Sequence, residues 1–338
     1  MSRRITILAL VALVGLAGAC AKQEQESPAE VAWSELVEAW NGLETAEEKA
    51  ALAESYLAEF PDTEHSGSMA GVVVYYRGHE MEDPQGAYDV VAPVFEQIED
   101  PEQRFAVGME MISLADSVEV PLELAEVADD LAAQRPLTYG EHQQVVESAA
   151  DLEEWSIAAA HAGAATGLAT PEAYQADYPD REFTDEDLAE RAQSREATSL
   201  AYEGWAAYNM GNTELAFARF AAADDVGSVS YLGVPNTPLY TFWGRAALGE
   251  GDFDSAIEFL GAEAAFGNDG SGAEVYLREA YAAKNGDKEG FDEFLWATRN
   301  ELATTVDDFT LLDYEGNEIS MANVSTGKVT LLAFWFPT

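Results

Sequence analysis

From Pro28 to about Ala303 the apolar residues recur at helical spacing, and this period limits the possible folds more than any other feature. Trp33, Leu36, Val37 and Trp40 fall at i, i+3, i+4 and i+7. Val91, Val94, Phe95 and Ile98 do the same, as do Leu124, Val127, Ala128 and Leu131. Leu52, Tyr56, Leu57 and Phe60 mark a further helix, stopped by Pro61, because proline disfavours helical geometry in the residue before it. Val145, Ala149, Leu152 and Ala159 carry another stripe, while Val72 to Tyr76 is ambiguous by period and takes its helical reading from its neighbours. An apolar stripe along one side of a helix must be covered by another element. So many stripes in succession specify helices packed on helices. The Gly-, Ala- and Pro-containing stretch between Gly163 and Phe183 reads as a linker separating a helical region over 30–165 from a second over 184–303. Thr184 with Asp187 fits the capping box that restarts the helices.

Within the second region the chain repeats itself. Gly204-Trp-Ala-Ala207, Gly211-Asn-Thr-Glu-Leu-Ala216 and Phe220 recur as Gly244-Arg-Ala-Ala247, Gly251-Asp-Phe-Asp-Ser-Ala256 and Leu260. A fainter copy runs through Glu279-Ala-Tyr281, Gly286-Asp287, Phe291 and Leu295. The turn glycines Gly211, Gly251 and Gly286 lie 40 and 35 residues apart. The first gap is lengthened by the loop Gly233-Val-Pro-Asn-Thr-Pro238. The pattern resembles the tetratricopeptide repeat of about 34 residues, in which small residues let two antiparallel helices approach closely. That resemblance implies stacked helical hairpins that scaffold or bind a protein partner.

Charge narrows the partners. The chain carries 63 Asp and Glu against 17 Lys and Arg, a formal −46. A phosphate backbone would be repelled rather than neutralised, so nucleic acid is excluded as a partner. An anionic membrane surface is repelled too, so membrane attachment has to be covalent or hydrophobic. Apolar residues still make up 48% of the chain, enough for packed cores.

The N-terminus supplies such an attachment. Arg3 and Arg4 precede the apolar run Ile5–Ala19, the layout of a secretory signal. The run is shorter than the roughly 20 residues of a spanning helix. Ala17-Gly-Ala-Cys20 resembles the lipobox of bacterial lipoproteins, with Ala17 where leucine is usual. The resemblance implies that residues 1–19 are removed, that Cys20 carries a diacylglycerol, and that 20–29 form the anchor and tether. With Ala21 next, it also implies the periplasmic side of the outer membrane in a Gram-negative host.

After Thr304 the texture changes. Phe309–Leu312, Glu318–Met321 and Val329–Phe336 read as strands, with Asp313–Asn317 as a hairpin turn. Asp308-Phe-Thr-Leu-Leu-Asp-Tyr-Glu-Gly-Asn-Glu-Ile-Ser-Met321, then Gly327-Lys-Val-Thr-Leu-Leu-Ala-Phe-Trp335, resembles the opening of a TlpA-like thioredoxin domain. In that family a hairpin, a short helix and Gly-Lys lead into a strand ending in Phe-Trp, followed after three residues by Cys-x-x-Cys. The resemblance covers 304–338, sets Trp335, Pro337 and Thr338 beside the redox site, and implies a nucleophilic cysteine after Thr338. The last strand also reads as a central strand buried on both faces, so the expected domain is incomplete here. The expected architecture is mainly α, tetratricopeptide-like, followed by an incomplete α/β thioredoxin-like domain.

The implied activity of the complete domain is thiol–disulfide exchange on envelope proteins, without a cofactor. The only cysteine in this chain is Cys20, so no catalytic residue is assigned and the chain itself is expected to be inactive. The alternatives are a non-catalytic interaction lipoprotein and a peroxiredoxin-like domain, which shares the early strands. The histidines His65, His79, His142 and His161 are scattered with no pair at metal-ligand spacing, so no metal is expected. Acidic pairs such as Asp224-Asp225 lack the calcium-loop pattern, and Gly267–Gly272 reads as an inter-helix loop.

Overall fold

The computed structural model describes residues 27–227, 230–231, 234–235, 238–266, 272–302, 309–312, 317–320 and 322. The chain begins with α1 (Pro28–Trp40), α2 (Ala46–Glu59) and α3 (Ser66–Val73), which continues as a π-helical segment, Val74–Glu80. Next come α4 (Pro84–Phe95), α5 (Pro101–Ile112), α6 (Leu124–Ala132), α7 (Tyr139–Asp151) and α8 (Trp155–Gly167). They are followed by α9 (Pro171–Asp177), α10 (Asp185–Asn209) and α11 (Thr213–Val226). After β1 (Ser230–Tyr231) and β2 (Val234–Pro235) the chain forms α12 (Leu239–Gly249), α13 (Phe253–Phe266), α14 (Ala273–Asn285) and α15 (Phe291–Leu302). It continues into β3 (Thr310–Leu312) and β4 (Glu318–Ser320). The helical class expected from the period is the observed one.

Local chemistry starts these helices. α1, α2, α7 and α10 each open with a capping box, built on Ser27 and Glu30, Thr45 and Glu48, Thr138 and Glu141, and Thr184 and Asp187. Each cap satisfies backbone donors that a helix start leaves free and contributes about 1 kcal/mol. The cores then follow the chain. Leu57, Met69, Val91 and Phe95 pack with Trp33 and Tyr56, and Phe105, Leu124, Leu131 and Val145 form the next cluster. Leu200, Trp205 and Phe220 build a third, and Leu260, Leu277, Phe291 and Leu295 a fourth.

Among the last six helices α10 closes on α11 and α12 on α13 as hairpins, while α14 and α15 both pack against α13, with the Tyr281 ring of α14 meeting Phe291 of α15 at 5.6 Å. Gly204 lets α10 close on α11: a Cβ there would lie 2.6 Å from Phe220 Cε1. Gly244 meets Leu260 in the corresponding way on α12 and α13. The turn glycines Gly211, Gly251 and Gly286 have φ of +80°, +77° and +92°, a region that side chains with a Cβ avoid. The longer connection between the first two hairpins contains β1 and β2, paired antiparallel with Tyr231 opposite Val234.

The expected linker is not one. Its first part, Gly163–Gly167, is the end of α8, and Pro171–Asp177 is α9. Ala158, Ala162 and Ala165 of α8 are fully buried, and Ala158 shares a core with Ala206 of α10. The small residues there reflect close helix packing rather than flexibility.

At the C-terminal side β3 pairs antiparallel with β4, Leu311 opposite Ile319, in the hairpin read from the sequence. The expected strand Val329–Phe336 lies outside the described residues. Among the described residues no helix is long and apolar enough to cross a membrane.

Candidate functional site

The residues singled out in the sequence, Cys20, Trp335, Pro337 and Thr338, all lie outside the described residues. Two other constellations are assembled by the fold.

One runs across α10, α12 and α14. Trp205 on α10, Arg245 on α12 and Tyr276 on α14 lie in a row, with the Arg245 guanidinium 4.3 Å from the Trp205 ring centre and 4.4 Å from that of Tyr276. Trp205 also stacks on Phe242 at 5.1 Å and on Tyr208 at 5.7 Å. Its edge meets Trp155 of α8 at 6.2 Å. A planar cation between two π faces is held by the ring quadrupoles, and Arg245 has no carboxylate partner among the described residues. That leaves its N–H edges as donors toward whatever approaches the row. In a chain this acidic, nearby arginines are engaged elsewhere: Arg219 pairs with Glu203 at 2.8 Å and Arg278 with Glu274 at 3.1 Å. Tyr202, one turn before Trp205, is half-buried with its ring edge-on to Phe242, and desolvation pushes its phenol well above the usual tyrosine range.

The other lies between α7 and α8. His142 Nδ1 and His161 Nδ1 are 3.0 Å apart, with ring centres at 5.0 Å and planes tilted by 57°. A hydrogen bond between two imidazoles requires one to donate and the other to accept, hence two neutral rings in opposite tautomers. Burial lowers the pKa of both; the charge of His161 lowers that of His142 further, while Glu141 pulls it back and Asp129 does so for His161. The sequence reading left these histidines apart, and the fold brings them together. The available signal was the short Leu152–Glu154 turn, which makes α7 and α8 antiparallel neighbours.

A third cluster is structural. Arg195 of α10 pairs with Asp177 at the end of α9 at 2.7 Å and lies between the rings of Tyr139 and Tyr174 at 4.4 and 4.3 Å. The Tyr139 hydroxyl donates to the Arg195 carbonyl at 3.1 Å. This clasp fixes α7, α9 and α10 and removes the freedom a linker would need.

Neither a known family model nor a curated protein matches the chain.

Proposed function

We propose that the protein is a lipid-anchored component of the cell envelope whose helical hairpins dock or space a partner for a TlpA-like thiol–disulfide oxidoreductase domain beginning near residue 304. The observation that carries this reading is the change of architecture along the chain. Packed helices end at Leu302, and an antiparallel pair, Thr310–Leu312 with Glu318–Ser320, follows at the place where the resemblance implies a hairpin. The chemistry of such a domain needs a thiolate at a helix N-terminus, which lowers its pKa, and a second cysteine to resolve the mixed disulfide.

The test separates anchor, scaffold and chemistry. Cys20→Ser releases the protein from membranes in detergent-free extraction if the lipid is the anchor. The 338-residue chain leaves insulin disulfides intact, having one cysteine. A chain continued through Cys-x-x-Cys and the rest of a redoxin domain reduces them. A continued, folded chain that carries the motif and remains inactive with dithiol reductants overturns the redox reading.

A second reading is favoured by the Trp205–Arg245–Tyr276 row: a non-catalytic interaction lipoprotein whose α10–α12–α14 face binds an acidic peptide. A guanidinium with free edges beside aromatic faces suits a carboxylate next to an apolar side chain. Arg245→Glu abolishes partner capture in that case and leaves the redox activity of a continued chain untouched on insulin.

A further inference from the structure

We propose that His142 and His161 form a two-imidazole site for a borderline divalent transition metal, Cu²⁺ first, with Zn²⁺ or Ni²⁺ more weakly held. Their Nδ1 atoms stand 3.0 Å apart, one on the first turns of α7 and the other in the middle of α8. Imidazole nitrogens bound at about 2.0–2.1 Å to one ion lie roughly 2.9 Å apart at a right angle and roughly 3.3 Å apart at the tetrahedral angle. The pair therefore already holds two nitrogens at the separation of adjacent ligands. Replacing the hydrogen bond by an ion needs ring rotations rather than movement of the helices.

The protons balance without net release. In the hydrogen-bonded pair one ring carries its proton on Nδ1 and the other on Nε2. On binding, the first ring moves its proton to Nε2 through water, and both Nδ1 lone pairs face the ion. Neither Nε2 has a hydrogen-bond partner among the described residues, so each is free to carry that proton.

Three further features favour the site. The helices that hold the rings are joined by the short Leu152–Glu154 turn, with Glu153 at φ +58°, so the ligands are mounted on regular elements. Both rings are half-buried rather than enclosed, which leaves remaining coordination positions to water. The formal charge of −46, with Asp129 and Glu141 acting on the pair at electrostatic range, attracts a dication. Neutral imidazole suits Cu²⁺, Ni²⁺ and Zn²⁺, and the Irving–Williams order puts Cu²⁺ first; Ca²⁺ and Mg²⁺ prefer oxygen.

The experiment uses the whole chain, stripped with chelator and titrated with Cu²⁺ in excess Ca²⁺, which occupies the carboxylate surface. The expected result is uptake of one equivalent, with nitrogen superhyperfine structure from two imidazoles in the electron paramagnetic resonance spectrum of the unsubstituted protein. His142→Ala and His161→Ala each weaken binding about tenfold or more, and His65→Ala leaves it unchanged. Gln replaces Ala at either position if the Ala variant does not fold. The proposal fails if Ca²⁺ abolishes uptake, if the spectrum shows oxygen ligands alone, or if uptake survives both substitutions.

Discussion

Gly244 sits where α12 meets the side chain of Leu260, and a methyl group added there would run into Leu260 Cγ. Leu260 is fully buried, so it cannot swing away into solvent. Gly244→Ala is therefore expected to destabilise the protein by about 1–3 kcal/mol, the usual range for overpacking a core. Gly140, on α7 with nothing within 4 Å of its missing Cβ, is the control: Gly140→Ala leaves the thermal midpoint unchanged or raises it. Gly244 and its counterpart Gly204 were legible in the sequence because they recur at matched offsets, and recurrence exposes a packing constraint. The His142–His161 pair was not legible, since its members lie 19 residues apart on different helices and no repeat presents them twice. His65 was equally opaque. It stacks on Trp33 with ring centres 3.9 Å apart and meets the edge of Tyr56, and burial lowers its pKa against the opposing pull of Glu64 and Glu30. A histidine whose folded pKa is depressed binds its proton more readily when unfolded. The stability it allows is thus present above the unfolded value near 6.5 and falls as pH drops through and below it. Thermal melts between about pH 7.5 and pH 5 should show a larger loss for the native chain than for His65→Phe, which keeps the ring stack without the titration. Equal losses would mean that His65 titrates alike in both states.

At the scale of elements, the period that identified most helices failed where the winding changes. Val72–Tyr76 is ambiguous because α3 passes there into π-helix, in which Met81 N donates to the carbonyl of Tyr76 five residues back. An α-helical template drifts out of phase across such a segment. The linker reading failed for a related reason: composition cannot distinguish alanines that pack closely from alanines that flex, and α8 uses them to approach α10. The β3–β4 pair was legible because two short runs with apolar and β-branched residues, Phe309–Leu312 and Glu318–Met321, flank the turn residues Asp313–Asn317. It is also a weak element. Thr310, Leu311 and Leu312 are all exposed, as are Glu318 and Ile319. A two-stranded ribbon with no buried face is marginal in water. Hydrogen exchange should find the amides of Thr310–Leu312 far less protected than those of Ser199–Ala207 in α10, whose neighbours are buried. Comparable protection would require a cover over the ribbon.

Across the whole molecule, the helices must hold together against their own charge. With 63 acidic and 17 basic residues, ion pairs can neutralise only a minority of the carboxylates. Several of the cations are already committed: Arg77 lies between Glu54 and Asp83, Arg135 between Glu102 and Glu141, and Lys284 against Asp254. The remaining carboxylates repel one another more in the compact state than in the expanded chain, because folding brings them closer. Added salt acts on both terms. It weakens the surface pairs, each worth about 0–1 kcal/mol, and it screens the long-range repulsion summed over the excess negative charge. The repulsion involves many more groups, so it should decide the sign. The thermal midpoint is expected to rise with NaCl, with most of the gain complete by about 0.3 M, where the screening length has fallen to roughly 6 Å. A gain that instead climbs linearly beyond about 1 M reflects exclusion of salt from the surface rather than screening. A midpoint that falls with NaCl would mean that the arginine and lysine pairs, few as they are, outweigh the repulsion.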